Sequence, residues 1–517
     1  MGRTQNRSSH NHDFPVVCKL LRQPNERNRD MDSITVEKIT FKEIERIFFE
    51  IGCEVARMLM QAFMEKLDKE LAGRRNKAEY RHKGTRTTTI KTLMGEVSVN
   101  RNVYKRIKED GSVEHVYLLD EALGLDTIGL VSPNLVEKIL EHSCEMSFRE
   151  VSQAVSDFTG QSISHQGVWN IVQAVGEKQA EAEKRLIKAY ENNELSGRKE
   201  VPILFEEADG LWLSMQGKSR ENSSKGKKEL KVGVVYEGWG KRYPSSKEYK
   251  TVEKTAFAGY MKPEEFKALR DAVVAEKYNV DEIVYRILNG DGASWIRQGD
   301  DLETNIFQLD SYHLAKSVVR NVYDKQARRH IMRWLKAGEF EKAFKKIEEL
   351  KYACGGVESE VKKLTILENY IKNNIDGIVL YKEREDIRLP KAPEGIEYRN
   401  LGTMERNVGI FAKRMKGAKS WSEKGATNLS KIIALKMGKG FKDKIAALVS
   451  GKLSEKVTER FSEVIRITKT SVNRAVRKSV YPIHRGEIPF SNSKVTNGRK
   501  AIRSMFDLKP FSEMVYR

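Results

Sequence analysis

Apolar positions begin to repeat at Phe41. From there to Leu71, Ile44, Ile47, Phe48, Ile51, Val55, Met58, Leu59, Ala62 and Phe63 recur at intervals of three and four, which lines them along one side of a long amphipathic helix. That stripe packs inside the chain or against a second copy, and a helix of this length serves either. A basic segment, Arg74 to Arg86, follows, and then the period changes. Thr87 to Leu93 and Glu96 to Tyr104 are rich in β-branched residues, and in the second run Val97, Val99 and Val103 alternate with polar positions, as a half-buried strand requires. The runs meet at Met94-Gly95.

After Ser132-Pro133 the helical period returns. Ser147 to Gly176 predicts two helices around the turn Thr159-Gly160-Gln161-Ser162, the second capped by Ser164. This is the grammar of a helix-turn-helix whose second helix presents His165, Gln166 and Asn170 to DNA; an ordinary αα-hairpin has the same pattern. From Val201 the text becomes strand-like: Pro202 to Ala208, Leu211 to Met215 and Lys231 to Tyr236, connected by Gly210 and the polar stretch Gly217 to Lys228. A helix is predicted over Pro263 to Lys277, strands over Ile283 to Leu288 and Ile306 to Leu309, and charged helices to about Asp376. Three strands, a helix and further strands is the order of an RNase H-like α/β layer.

Length turns this pattern into a multidomain one, since 517 residues exceed one ordinary core. Lys and Arg total 93 against 73 acids, a net charge of +20 and a pI near 9.4, which puts a polyanion, nucleic acid first, among the expected partners. No apolar run is long enough for a membrane span, and Met1 to Arg29 has no signal-like core, so a cytosolic protein is expected. Residues 1–30 read as a disordered extension, with Met31 as an alternative start. Cys18, Cys53, Cys144 and Cys354 form no CxxC pair and read as free thiols, not as a zinc site or a disulfide framework.

The acids near predicted strand ends change the picture most. Asp209 closes the first strand in Glu206-Glu207-Ala208-Asp209-Gly210, and Asp291 follows the fourth in Asn289-Gly290-Asp291-Gly292. Two carboxylates delivered to one sheet edge suit phosphodiester chemistry, in which hard cations activate the attacking oxygen and stabilise the leaving one. Glu405, at the start of a helix that continues into Lys413, Arg414, Lys416 and Lys419, is the third acid. Glu207, two residues before Asp209 on the same strand face, is next in line. Turn chemistry accounts equally for the Asp-Gly pairs, and the helix dipole for Glu405.

The segments Phe205-Glu206-Glu207-Ala208-Asp209-Gly210, Asn289-Gly290-Asp291-Gly292-Ala293-Ser294-Trp295-Ile296, Leu309-Asp310-Ser311-Tyr312-His313-Leu314 and Met404-Glu405-Arg406-Asn407 resemble the catalytic blocks of ISLre-type insertion-sequence transposases. More distantly the chain is similar to Mutator-like transposases. The resemblance runs from about Ile44 to the Pro489-Phe490 and Lys509-Pro510-Phe511 blocks. It implies an RNase H-like DDE core over 201–310 and 398–440 with a helical insertion at 311–397. Ahead of the core the residue patterns themselves read as a disordered extension (1–30), which the resemblance leaves out, a helix and β-rich region (31–120) and a helix-turn-helix region with a linker helix (121–200); a basic C-terminal region (441–517) follows. The implied site is Asp209, Asp291 and Glu405 holding two Mg2+ or Mn2+ ions. Asp310 and His313 match a secondary motif that usually includes a cysteine, absent here. The expected partners are double-stranded DNA, both terminal inverted repeats and target, contacted by the helix-turn-helix and by Arg406, Lys413 and Arg414, with a homo-oligomer on DNA and no membrane. The rival functions are a structure-selective nuclease without strand transfer and a non-catalytic helix-turn-helix binding protein.

Overall fold

The computed structural model describes residues 40–108, 111–125, 130–297 and 304–450. The N-terminal extension, Cys18, Met31 and the two C-terminal blocks lie outside the described residues. Helix α1 (Phe41–Arg74) opens on a capping box between Thr40 and Glu43. Its C-terminal half lies on an antiparallel sheet of β1 (Tyr80–Thr92), β2 (Gly95–Ile107) and β3 (Val113–Val116). With α2 (Leu118–Leu123) it encloses Met64, Leu67, Ile90, Val97, Val99 and Leu119. Among the described residues nothing covers the first half of α1 in this way: Phe41 and Phe48 are 79% and 70% exposed. Half of the basic segment expected ahead of the strands is part of β1, because β2 pairs outward as far as Tyr80↔Arg106. A register shift between His82 and Thr85 carries the ladder past Gly84.

Helices α3 (Pro133–Ser143), α4 (Phe148–Thr159) and α5 (His165–Glu191) form the next layer. The Ser164 hydroxyl accepts from Gly167 N–H at 3.0 Å, so the predicted cap starts α5. The helix then runs well beyond Gly176 to pack along the central sheet's helices.

That sheet has five strands, β4 (Ile203–Ser214), β5 (Lys227–Tyr236), β8 (Thr255–Gly259), β9 (Tyr285–Gly290) and β10 (Asn305–Leu309), arranged in the order β10-β9-β4-β5-β8. β5 pairs antiparallel with β4 on one side and with β8 on the other, whereas β9 joins β4 and β10 joins β9 in parallel. A short helix α6 (Lys218–Glu221) and the pair β6 (Trp239–Lys241) and β7 (Tyr249–Thr251) decorate the connections. The two strands expected on either side of Gly210 are one. Gly210 stays in the ladder opposite Lys231, and a Cβ there would collide with the Glu229 carboxylate. The glycine marks close packing of a side chain, not a turn. β8, at five residues, is too short for its period to announce it.

One sheet face presents Leu211, Leu213, Val232, Val234 and Tyr236 to α5, α14 (Met404–Met415) and α15 (Glu423–Met437). The final described helix, α16 (Phe441–Val449), packs against this same layer. The other face packs Leu204, Ala208 and Val235 against Phe266 and Leu269 of α7 (Pro263–Lys277). α8 (Ser294–Arg297) follows β9. Between β10 and α14 lies a helical segment: α9 (Ser311–Asn321), α10 (Lys325–Lys336), α11 (Phe340–Ala353), α12 (Glu358–Asn373) and α13 (Ile375–Ile378). It has its own apolar cluster around Val318, Ile331, Leu335, Ile347 and Leu367. Gln308 of β10 ties down its end by donating to the Gly377 carbonyl and accepting from Tyr381 N–H. The chain then returns along β6, exchanging two backbone bonds between Glu397 and Trp239. Lys416 and Lys419 fall beyond α14, which ends at Met415.

On the α7 face, Glu206 and Asp271 are buried with Arg270 and Arg286. Burial opposes ionisation of Asp271, but Arg286 and Arg270 outweigh it and hold the carboxyl below its ordinary value. Arg286→Met therefore leaves Glu206 and Asp271 to Arg270 and Lys267 alone and should cost up to about 3–5 kcal/mol at neutral pH, read from denaturant midpoints. Because Asp271 is depressed in the folded state, the wild type loses this stabilisation only as pH falls below the ordinary carboxylate range, and the gap between variant and wild type should narrow there. A loss under about 1 kcal/mol would show that the network is not holding β9 to β4 and α7.

Candidate active site

Strand register brings three acids level. Glu207 pairs with Asn289 across β4 and β9, and Leu309 pairs with Gly290 across β10 and β9. Asp209 is thus two positions past the first pair, while Asp291 and Asp310 are each one past the second. All three stand at the carboxyl edge of the three parallel strands, where open α/β sheets hold their ligands. β4 itself continues through Asp209 to Ser214, so this acid sits inside a strand, at the point where its pairing with β9 has ended.

Each acid is held by the backbone beside it. Asp209 Oδ1 accepts from Gly210 N–H at 2.7 Å, and Asp291 Oδ1 from Ala293 N–H at 2.9 Å. Gly292, at φ +89°, makes the bend after Asp291 with the Asn374 amide where a Cβ would go. Tyr370 of α12 donates to the Asp291 carbonyl at 2.8 Å, which couples the helical segment to this edge. Asp310 caps α9 through Tyr312 and His313 N–H, and its other oxygen accepts from Asn289 at 3.2 Å. His313 Nε2 stands 3.9 Å from Asp209 Oδ2.

Burial, reinforced by the charges of Asp291 and Asp310 and opposed by Gly210 N–H and His313, pushes Asp209 up to about 6. A carboxyl so disfavoured as an anion is one that a bound cation would relieve. Glu229 of β5 adds a fourth acid that sequence reasoning missed. Its carboxylate lies over Gly210 and is raised by burial and then by Asp291 and Asp209, with Lys231 opposing. Strand pairing alone brings it there, and its only sequence signal is the strand-like alternation of Glu229, Lys231 and Gly233.

Glu405 is the second residue of α14 and is exposed. No side chain of its own caps this helix; Glu207 does so from β4. Its carboxylate, 1% exposed, accepts from the N–H groups of Gly402, Thr403 and Met404 at 3.0–3.2 Å, the Thr403 hydroxyl, Tyr236 at 2.6 Å and Asn289 at 3.0 Å. Glu207 is therefore saturated as an anchor, and it pins the turn bearing Glu405 to β4 two residues from Asp209. Among the described residues no three His, Cys, Asp or Glu side chains are already gathered to ligand distance. Asp291 and Asp310 are close enough to Asp209 for their charges to act on it, and Asp310 is engaged as a cap.

His165, Gln166 and Asn170 are exposed at the start of α5, with Gln166 donating to Asn170 at 2.9 Å. Arg406 and Lys413 lie on α14, and both are exposed. Arg414 is not available as a DNA contact: it is 2% exposed, donates to the Ser143 carbonyl, and lies over the rings of Phe148 and Trp421. Burial brings its guanidinium down to about 10. Cys53, Cys144 and Cys354 are free, and no helix among the described residues is long and apolar enough to cross a membrane.

Residues 34–447 match the model of an uncharacterised protein family, UPF0236. A UPF0236 protein of Caldanaerobacter subterraneus subsp. tengcongensis is 26% identical over 457 residues, covering 84% of this chain and 88% of that protein. A second from the same organism, with the same identity and coverage, bears a name that joins eleven locus designations. The UPF0236 protein in the vanSb 3′ region of Streptococcus gallolyticus is 25% identical over 403 residues, 75% of this chain and 81% of that one. Among solved structures, the Drosophila P element transposase strand transfer complex aligns over 65% of this chain and 86% of that chain at 10% identity. Its TM-score of 0.21 is too low to establish a shared fold.

Replacing Glu207 by Ala leaves several buried donors unsatisfied, at about 1–3 kcal/mol each. The variant should lose at least about 3 kcal/mol of stability, and the amides of Gly402, Thr403 and Met404 should lose hydrogen-exchange protection ahead of the sheet. Unchanged protection at those amides would mean that α14 does not depend on this carboxylate.

Proposed function

The chain belongs to the UPF0236 family, and we propose that it is a DDE transposase that cuts DNA at the ends of its own element and joins the freed 3′ ends to target DNA. The observation that carries this reading is the level placement of Asp209 and Asp291 on adjacent parallel strands, with the Glu405 turn clamped to the same strand by Glu207. The sheet supports it: three antiparallel strands in sequence, then two added in parallel beside the first, is the arrangement of an RNase H-like core. A helical segment between the last strand and the glutamate-bearing helix is where such an insertion belongs. The eleven locus designations under one relative's name are what repeated copies of a mobile gene would leave.

In this reading Asp209 and Asp291 would hold two divalent cations, Mg2+ or Mn2+, and Glu405 would complete the set. Bound cations would activate the attacking oxygen, water in cleavage and a 3′-hydroxyl in joining, and stabilise the leaving one. The hard, anionic oxygens suit them. Tyr370 fixes the Asp291 backbone, Asp310 fixes the α9 turn that carries His313, and Glu207 fixes Glu405. α4 and α5 act as a helix-turn-helix, with His165, Gln166 and Asn170 reading base edges while Arg406 and Lys413 meet phosphates.

Asp209→Asn preserves size and removes the charge that holds a cation. It should lower both strand cleavage and joining by more than the roughly 10–100-fold that loss of an outer-shell metal partner costs. Binding of DNA from the gene's borders should persist, since the reader is a separate element. Wild-type cleavage by this variant would remove Asp209 from the site, and cleavage by the wild type without joining would leave a nuclease.

Alanine at both Gln166 and Asn170 should weaken binding to border DNA by about 1–3 kcal/mol for each base edge no longer read, and hardly alter binding to scrambled duplex. Equal weakening on the two DNAs at one salt concentration would exclude α5 as the reader.

A further inference from the structure

The acidic edge opens onto a cleft of about 530 Å3 between α9 and α12, and Asp291 and His313 line both. One wall is the α9 face bearing His313, Lys316 and Arg320; the other bears Ile366 and Tyr370 of α12. Along α9 these side chains climb away from the acids at about one helical turn, roughly 5.4 Å, per step. Lys316 and Arg320 are exposed, and among the described residues neither stands in an ion pair. Lys363, which also lines the α12 wall, is engaged with Glu360 at 2.7 Å. Ile366 is 53% exposed, an apolar surface set opposite the two cations of α9.

Two cations outside any ion pair and an apolar side chain, in a groove that begins at an acid cluster, match a nucleic-acid strand, which offers phosphates along one edge and sugars and bases along the other. A carboxylate ligand would be drawn to the same cations, but it has no use for a groove running two helical turns from the acids. We propose that this cleft is the track on which the DNA strand bearing the scissile phosphate lies, Lys316 and Arg320 meeting backbone phosphates beside the cut and Ile366 facing the sugars. The inference rests on the reading in which Asp209 and Asp291 cut DNA. The helical segment then has a role in the reaction, because α12 holds Asp291 through Tyr370 and also walls the strand, so that one element positions substrate and acid together.

The test uses the full chain and labelled duplex from the gene's borders. Each phosphate contact contributes about 0.9 to the slope of log affinity against log salt. Lys316→Gln with Arg320→Gln should flatten that slope by about 2 and raise the KM for cleavage at least about tenfold, with kcat changed far less. Lys325→Gln with Lys345→Gln removes the same charge from exposed positions of α10 and α11 outside the cleft, and should leave slope and KM near wild type. Similar effects from the two double variants would reduce the cleft to general basic surface and overturn the proposal. If Asp209→Asn is inactive but the cleft variant keeps wild-type slope and KM, the acid assignment stands and the track is wrong. If Asp209→Asn cuts normally, the acid assignment fails and the track falls with it.

Discussion

A carboxylate buried to 1% exposure holds together the two parts of this site that are farthest apart in sequence. Burying an anion costs several kcal/mol even after relaxation. Glu207 offsets that cost with charge-assisted bonds from three consecutive backbone N–H groups, two hydroxyls and an amide. The three backbone donors are the orphan groups of a helix N-terminus, whose dipole favours negative charge. The bond network is thus a cap supplied from far away in the chain, with a separation of 196 residues between Glu207 and Thr403. It determines where α14 begins, which sheet face it covers and where Glu405 stands.

The acidic edge two residues further along β4 is electrostatically opposite. Glu207 is fully hydrogen-bonded, whereas Asp209 lies within reach of the charges of Asp291 and Asp310, with His313 Nε2 at 3.9 Å. Two carboxylates on one strand face therefore have contrasting environments: one saturated by donors and structural, the other held up near 6 by burial and like charge. Stability resides in the first, and in the proposed reading the second is where a cation would bind. Sites that act on phosphates need both, since the acids must stay close despite their repulsion.

The helical segment between β10 and α14 has its own apolar cluster, yet it is stitched to the sheet at three places: the Asp310 cap, the Tyr370 bond to Asp291 and the Gln308 bonds at its end. Those stitches keep the α9 and α12 walls in register with the acids. At the other end of the chain, the first half of α1 leaves Phe41 and Phe48 uncovered, so its stripe is satisfied only in part by the β1 to β3 sheet.

By itself the sequence determined the elements whose signals are local. The three-and-four spacing of α1, the Ser164 cap, the Pro263–Lys277 helix and the Val97/Val99 alternation depend on neighbours within a few residues, and the structure contains each of them. The positions of Asp209 and Asp291 beside glycines at a strand-rich edge were legible for the same reason. What tertiary structure decided were matters of pairing and burial. Gly210 looked like a turn because its packing partner, Glu229, lies on another strand. Arg414 looked like its basic neighbours on α14, but the helix face it occupies meets Phe148 and Trp421. Glu207 and Asp209 share a strand face and a charge, and only the arrival of α14 over the first gives them different roles. No periodicity in one segment encodes which distant backbone will bring its donors, because that depends on register and on the closure of loops between elements far apart in the chain.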